Sequence, residues 1–254
     1  MDMAARTCHD PVMADDSRQP GPPEIHSSIP QSARIWNYWL GGKDNYEVDR
    51  AVGEEIKKVF PGIVTTARAD RMFLGRAVRH LVEEAGIRQF LDIGTGLPTV
   101  DNTHEVAQRI APECRIVYVD NDPPVLTHAR ALLTSSPEGA TSYIDADLRD
   151  PENILARARE ILDFTEPVAI MLLGIVHFIL DQEEAHSIIR RLLDAVPSGS
   201  HLAITHACDF VQAEELHANV KMWNEHGTPK MTVRSYDQIR RLLGDVELLE
   251  PGLV

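Results

Sequence analysis

From Gly86 to Thr205 the chain alternates short apolar runs with stretches whose apolar positions recur every three or four residues, the spacings of strands and amphipathic helices. The runs QFLDI (89–93), RIVYV (115–119), TSYID (141–145), VAIMLL (168–173) and HLAIT (201–205) are expected to be strands. Helices are expected between them at 103–110, 123–133, 152–162 and 183–196; Pro123-Pro124 and Pro151 fall in first turns, where a missing N–H costs nothing. The second, fourth and fifth runs are almost continuously apolar, as strands are when helices cover both faces of a sheet. The pattern predicts an α/β fold, a doubly wound, Rossmann-like parallel sheet with helices on both faces.

Upstream, two short helical patterns at 32–40 and 46–59 flank the Gly41-Gly42 break. A longer helix is expected at 66–85, with Ala69, Met72, Phe73, Ala77 and Leu81 on its apolar stripe and Gly86 as its stop. Downstream, 210–226 and 235–243 are expected to be helical and VELLE (246–250) to be a sixth strand. Residues 1–30 carry prolines at 11, 20, 22, 23 and 30 beside Gly21 and show almost no apolar period, so they are expected to form a flexible leader. Three units follow: the leader, a helical extension at 31–86, and a sheet domain at 87–254.

Composition narrows the function. Of 254 residues 43% are hydrophobic and 25% charged, the proportions of an ordinary globular chain. The longest apolar run, Val168 to Val176, is far shorter than the ~20 residues that a membrane helix needs, so no membrane partner is expected. Asp2, Asp10, Asp15 and Asp16 interrupt the N-terminus, which argues against a secretory signal. A net charge of −14 opposes a polyphosphate backbone, so no nucleic-acid partner is expected. Cys8, Cys114 and Cys208 are odd in number and widely spaced, which indicates neither a disulfide framework nor a zinc site and suits a reducing cytoplasm. No metal spacing is present, and the oligomeric state is left open.

Ligands of doubly wound sheets lie beyond the carboxyl ends of the strands. After the first run come Gly94-Thr95-Gly96-Leu97-Pro98-Thr99, and then Asn102 with Glu105 as a capping box, leaving 94–102 to lie over the sheet edge. Glycines 94 and 96 let backbone approach a ligand closely. Asp120 closes the second run 24 residues beyond Gly96, where nucleotide-binding folds grip a ribose, and Asp147-Leu148 follows the third, where an adenine edge would lie. A dinucleotide loop would carry a third glycine where Thr99 stands. Asp92, inside the pocket, would oppose a pyrophosphate and favour an ammonium or sulfonium. The acids therefore suit S-adenosylmethionine; an NAD-dependent oxidoreductase is the first alternative, and a non-catalytic S-adenosylmethionine-binding protein the second.

The blocks SARIWNYWLGGKDNYEVDR, QFLDIGTGLPT, YVDNDPPVL, DADLRDP and VHF resemble, in that order, an actinobacterial family of class I S-adenosylmethionine-dependent methyltransferases formerly catalogued as a domain of unknown function. The likeness spans 32–254. It implies that Asp92, Gly94, Thr95 and Gly96 surround the methionine part of S-adenosylmethionine, that Asp120 and the flanking Asn121 hold the ribose, and that Asp147 and Leu148 meet the adenine. Pro98 departs from the usual third glycine of class I loops. Class I sheets also end in an antiparallel seventh strand, which nothing up to Val254 supplies. The resemblance further implies that the extension covers the cofactor mouth.

For the acceptor, presumed a small molecule, Tyr38, Lys43, Asn45 and Tyr46 are the expected contacts, while Trp36, Trp39 and Leu40 are expected to pack as a helical stripe. Arg71, or else Arg68, is the expected partner of the cofactor carboxylate. His177, at the exit of the fourth strand, is the expected general base, with His206 a weaker candidate.

Overall fold

The computed structural model describes residues 28–123, 125 and 134–254. Most of the expected leader and nearly all of the helix expected at 123–133 lie outside the described residues. Three helices come first: α1 (Ser32–Trp39), α2 (Glu47–Val59) and α3 (Ile63–Glu83). The alternating part runs β1 (Gln89–Ile93), α4 (Thr103–Ile110), β2 (Arg115–Asp120), β3 (Ala140–Asp145), α5 (Pro151–Ala158) and β4 (Ala169–Leu173). A single 3-10 turn (Val176–Phe178) is followed by α6 (Gln182–Asp194), β5 (His201–Thr205), α7 (Ala213–His226) and α8 (Tyr236–Leu243). All five strands pair in parallel in the order β3-β2-β1-β4-β5. The order reverses between β1 and its neighbours, which opens a crevice at their carboxyl ends.

Alternate side chains of each strand feed two cores. Leu91, Ile93, Val117, Val119, Ile170 and Leu172 face α5 and α6, while Phe90, Ile116, Tyr118, Ala169 and Met171 face α3 and α4. Local signals set the helix starts: Asp150 accepts the Asn153 N–H ahead of Pro151, and Asp181 accepts that of Glu184 at 2.8 Å.

Two expectations are corrected. Residues 246–250 form no strand: the half-buried and exposed positions alternate there, but no ladder partner lies alongside among the described residues. Among the described residues β5 is the edge strand, and beyond it only an isolated Cys208–Arg234 bridge continues parallel pairing. Alternation alone does not make a strand without a neighbour for its N–H and C=O groups. Helix α7 also starts at Ala213 instead of 210, because Gln212 takes a left-handed conformation (φ 56°) that interrupts helical geometry.

Helices α1, α2 and α7 and the start of α3 share a third apolar cluster, centred on Ile35, Trp39, Ile56, Phe60, Ile63 and Trp223. One buried ion pair fixes α1 on α2: Arg34 Nε donates to Asp49 Oδ2 at 2.7 Å, and neither side chain is more than 3% exposed. The Asp49 carboxylate also accepts the Gln31 and Tyr46 N–H groups at 3.0 and 2.8 Å. Removing one partner of such a pair leaves a desolvated charge. The Asp49→Ala variant should therefore lose about 3–5 kcal/mol in urea unfolding; a loss below ~1 kcal/mol would mean that water reaches Arg34.

Candidate active site

A cavity of about 570 Å³ opens at the carboxyl ends of the strands, within the size range of small-molecule and cofactor sites. Its floor is the loop after β1. Gly94 (φ +78°) donates its N–H to Val119 O at 2.8 Å, and a Cβ there would stand 2.6 Å from Ile175, so only glycine fits. Gly96 (φ +63°) has nothing within 4 Å of where a Cβ would project, so bare backbone faces open space. The loop is tied down at both ends. Gly96 N–H donates to Asp120 Oδ2 at 2.9 Å, while Asn102 receives Arg71 Nη2 at 3.1 Å and closes onto Glu105 at 2.8 Å.

Five aspartates, at 70, 92, 120, 122 and 147, line the cavity against two arginines, 71 and 149; no lysine or glutamate does so among the described residues. Asp92 points from β1 towards α4, is 5% exposed and accepts the Thr103 hydroxyl at 2.6 Å. Burial pushes its carboxyl up to about 6, although the Thr103 hydrogen bond and Arg71 pull the other way. Asp120 accepts the Gly96 and Asp122 N–H groups at 2.9 Å each, yet burial raises it to about 6 as well. Burial also raises Asp70 and Asp122. Asp147 accepts Asn121 Nδ2 at 3.0 Å and the Arg149 N–H at 2.8 Å, and Leu148 beside it is buried in the wall.

This donor set can be tested against the ligand that the sequence suggests. Asp92, buried, and Asp120, half-buried, are both raised by desolvation, so their ionised forms gain from a cation and lose from a phosphate. Bare backbone at Gly96 and acceptors at Asp120 and Asp147 suit an amino-acid chain, a ribose and an amino-purine edge. The residues fit S-adenosylmethionine and fit a pyrophosphate poorly.

Arg71, Asp92, Gly94, Thr95, Gly96, Asp120, Asn121, Asp147, Leu148 and His177 are brought together in the cavity wall. Arg68 is exposed on α3 and lies outside it. The expected acceptor contacts Tyr38, Lys43, Asn45 and Tyr46 do not line the cavity. Tyr38 bonds Glu54 on α2, Asn45 Nδ2 donates to Asn37 Oδ1 at 2.9 Å, the Arg34 guanidinium covers the Tyr46 ring, and Lys43 is exposed. Trp36, Trp39 and Leu40 pack in the third core as expected and also line the cavity.

His177 is 8% exposed, with its ring 4.4 Å from Phe178 and 5.7 Å from His206. Burial, with His206 and Arg234 adding to it, pulls His177 down to about 3. It is therefore a neutral hydrogen-bonding group, and the general-base expectation narrows accordingly, since a useful base has a pKa near the working pH. His206 is fixed between Arg234 Nη1 at 2.7 Å and Ala207 O at 2.8 Å, and burial pulls it down to about 4. Asp70, Asn219 and Trp223 were missed by sequence reasoning. Leu216, Asn219 and Trp223 form a helical stripe on α7 that could have drawn notice, but no spacing tied that distant helix to this crevice.

A family model described as S-adenosyl methyltransferase matches residues 18–254. The crystal structure of a DUF574 family protein from Streptomyces avermitilis is 45% identical, with 91% of this chain and 88% of that chain covered and a TM-score of 0.87. A protein of Thermobifida fusca, described as a candidate methyltransferase, is 43% identical, with coverage of 94% and 88% and a TM-score of 0.83. No curated protein sequence matches the chain. A sheet with its acidic crevice, a family model over most of the length and these two solved relatives converge: the chain belongs to the S-adenosyl methyltransferase family, as an S-adenosylmethionine-dependent enzyme with the class I α/β fold.

Proposed function

We propose that the cavity binds S-adenosylmethionine across the ends of β1, β2 and β3 and presents its methyl group to a small-molecule acceptor held against α1, α7 and the turn after β4. One observation carries this reading: Asp92, buried, and Asp120, half-buried, stand on adjacent strand ends and are both raised to about 6 in a cavity with an excess of acid. Asp120 would hold the ribose hydroxyls with Asn121 at its side, and Asp147 with Leu148 the adenine. Asp92 would face the ammonium, Gly94, Thr95 and Gly96 the methionine chain, and Arg71 the carboxylate. When bound, the cofactor supplies an electrophilic methyl on a sulfonium.

The chain's own share is placement. Holding two reactants in line can contribute roughly 7–11 kcal/mol, so no acid–base pair is required of the wall. His177, neutral at working pH, would orient the acceptor and leave its proton to solvent. The net charge of −14 supports a small acceptor over a nucleic acid. We place residues 31–86 as a cover of the cofactor mouth, since α1 and α3 contribute Trp36, Asp70 and Arg71 to the wall. A cytoplasmic setting fits the free Cys114 and Cys208; no described helix is long and apolar enough to cross a membrane.

Two outcomes follow. Asp120→Ala should weaken S-adenosylmethionine binding by ~1–3 kcal/mol in calorimetric titration, the scale of a lost charge-assisted hydrogen bond; an unchanged dissociation constant would remove the ribose assignment. The second concerns pH. In the free protein Asp92 and Asp120 sit above the unfolded value, so they favour folding at low pH, and that contribution is lost as the pH rises through about 6. A bound cation favours their ionised forms, so affinity is greatest above that pH and falls below it. The rise in Tm produced by saturating S-adenosylmethionine should accordingly be larger above pH 6 than a unit below it; an equal or reversed shift would detach these acids from the cofactor.

A further inference from the structure

Five buried side-chain polar atoms have no hydrogen-bond partner among the described residues, and four of them, Thr99 Oγ1, Tyr143 OH, His177 Nδ1 and Asn219 Oδ1, belong to residues that line the one cavity. Native structures pair nearly all such atoms, so a concentration of exceptions in one cavity points to a ligand that completes them. Thr99 and Tyr143 go with the loop after β1 and with β3, on the cofactor side. His177 and Asn219 belong to the other end.

That end is mainly aromatic, and the charge beside it is taken up by the chain itself: Arg149 donates to Phe178 O at 2.9 Å and lies 3.4 Å from Asp147 Oδ1. Trp36, Leu40, Phe60, Phe178, Trp223 and Met231 line it and pack in one apolar cluster. The Phe178 ring lies 4.4 Å from His177 and 6.2 Å from Trp223. Asn219 is one helical turn before Trp223 on α7 and is 5% exposed. Neither α1 nor α7 adds a charged side chain to the wall. A charged acceptor would lose its hydration here, where the nearby Arg149 is already engaged by Phe178 O and Asp147, whereas a flat apolar body would lie against faces and edges of rings.

We propose that the acceptor is an uncharged aromatic compound bearing a hydroxyl, its ring bounded by Trp36, Phe178 and Trp223 and its O–H donating to Asn219 Oδ1, with His177 as the second polar contact. That this end belongs to the methyl acceptor rests on the methyl-transfer reading; the recognition itself is a matter of binding and is tested without turnover.

The chain's three tryptophans, Trp36, Trp39 and Trp223, all line the cavity, so indole emission reports its occupancy. The full chain is titrated with 4-ethylphenol, with its methyl ether 4-ethylanisole and with 4-ethylbenzoate, exciting at the red edge of the indole band where phenols do not absorb. Binding of S-adenosylmethionine is measured in parallel by calorimetry. The phenol should shift the emission saturably, with the ether and the benzoate each weaker by about tenfold or more, the scale of one hydrogen bond to a buried acceptor. Asn219→Leu should bring phenol and ether to equal affinity; if that variant does not fold, the phenol-to-ether ratio of the natural chain decides alone. A ratio near one, or a benzoate that binds tightest, overturns the proposal. Cofactor binding with no response to any of the three probes also overturns it and leaves the methyl-transfer reading intact. A phenol that binds where S-adenosylmethionine does not would instead overturn that reading and keep the ring pocket.

Discussion

Two carboxylates at adjacent strand ends, one buried and one half-buried, set the terms for the rest of this site. Asp92 and Asp120 lie on neighbouring parallel strands, and the loop between β1 and α4 is folded around them. Thr103 bonds Asp92 and the Gly96 amide bonds Asp120, while the turn is left-handed at both glycines and Ile175 leaves no room for a side chain at Gly94. These hydrogen bonds do not fully offset burial, and both groups remain at about 6. A cavity in that state is complementary to positive charge, and the scaffold of sheet, loop and α3 keeps it so.

Burial on the other side of the cavity follows a different rule. The ends of α1 and α7 bring rings and aliphatic groups against the turn after β4, and the polar atoms among them are neutral. Arg234, 2% exposed, maintains this arrangement by donating to Ile179 O at 2.6 Å and to Gln182 Oε1 at 2.8 Å while holding His206. One crevice therefore offers an acidic half and an aromatic half.

The sheet was legible because each apolar run alternates its residues between two cores, which leaves a run of β-branched and aliphatic residues with few other structures to adopt. The acids were legible for a related reason: polar residues at the ends of such runs stand out. Helical faces were harder to read. Ile35 and Trp39 are four apart, as are Trp36 and Leu40; all four pack in the third core, and Trp36, Trp39 and Leu40 line the cavity as well, a double role that periodicity does not show. Tyr38, Lys43, Asn45 and Tyr46 had the chemistry of ligand contacts, but α2 lies beside them and takes up Tyr38 through Glu54. Asn219 and Trp223 could not be connected to a loop more than a hundred residues earlier without the fold itself. The segment 246–250 had strand alternation without a neighbour to pair with among the described residues.

The most direct test is a crystal structure of the chain with S-adenosylmethionine. The account predicts ribose hydroxyls on Asp120, the ammonium facing Asp92 and the methyl directed towards His177 and Phe178. A nucleoside bound elsewhere, or bound here with Asp92 and Asp120 both out of contact, would contradict it.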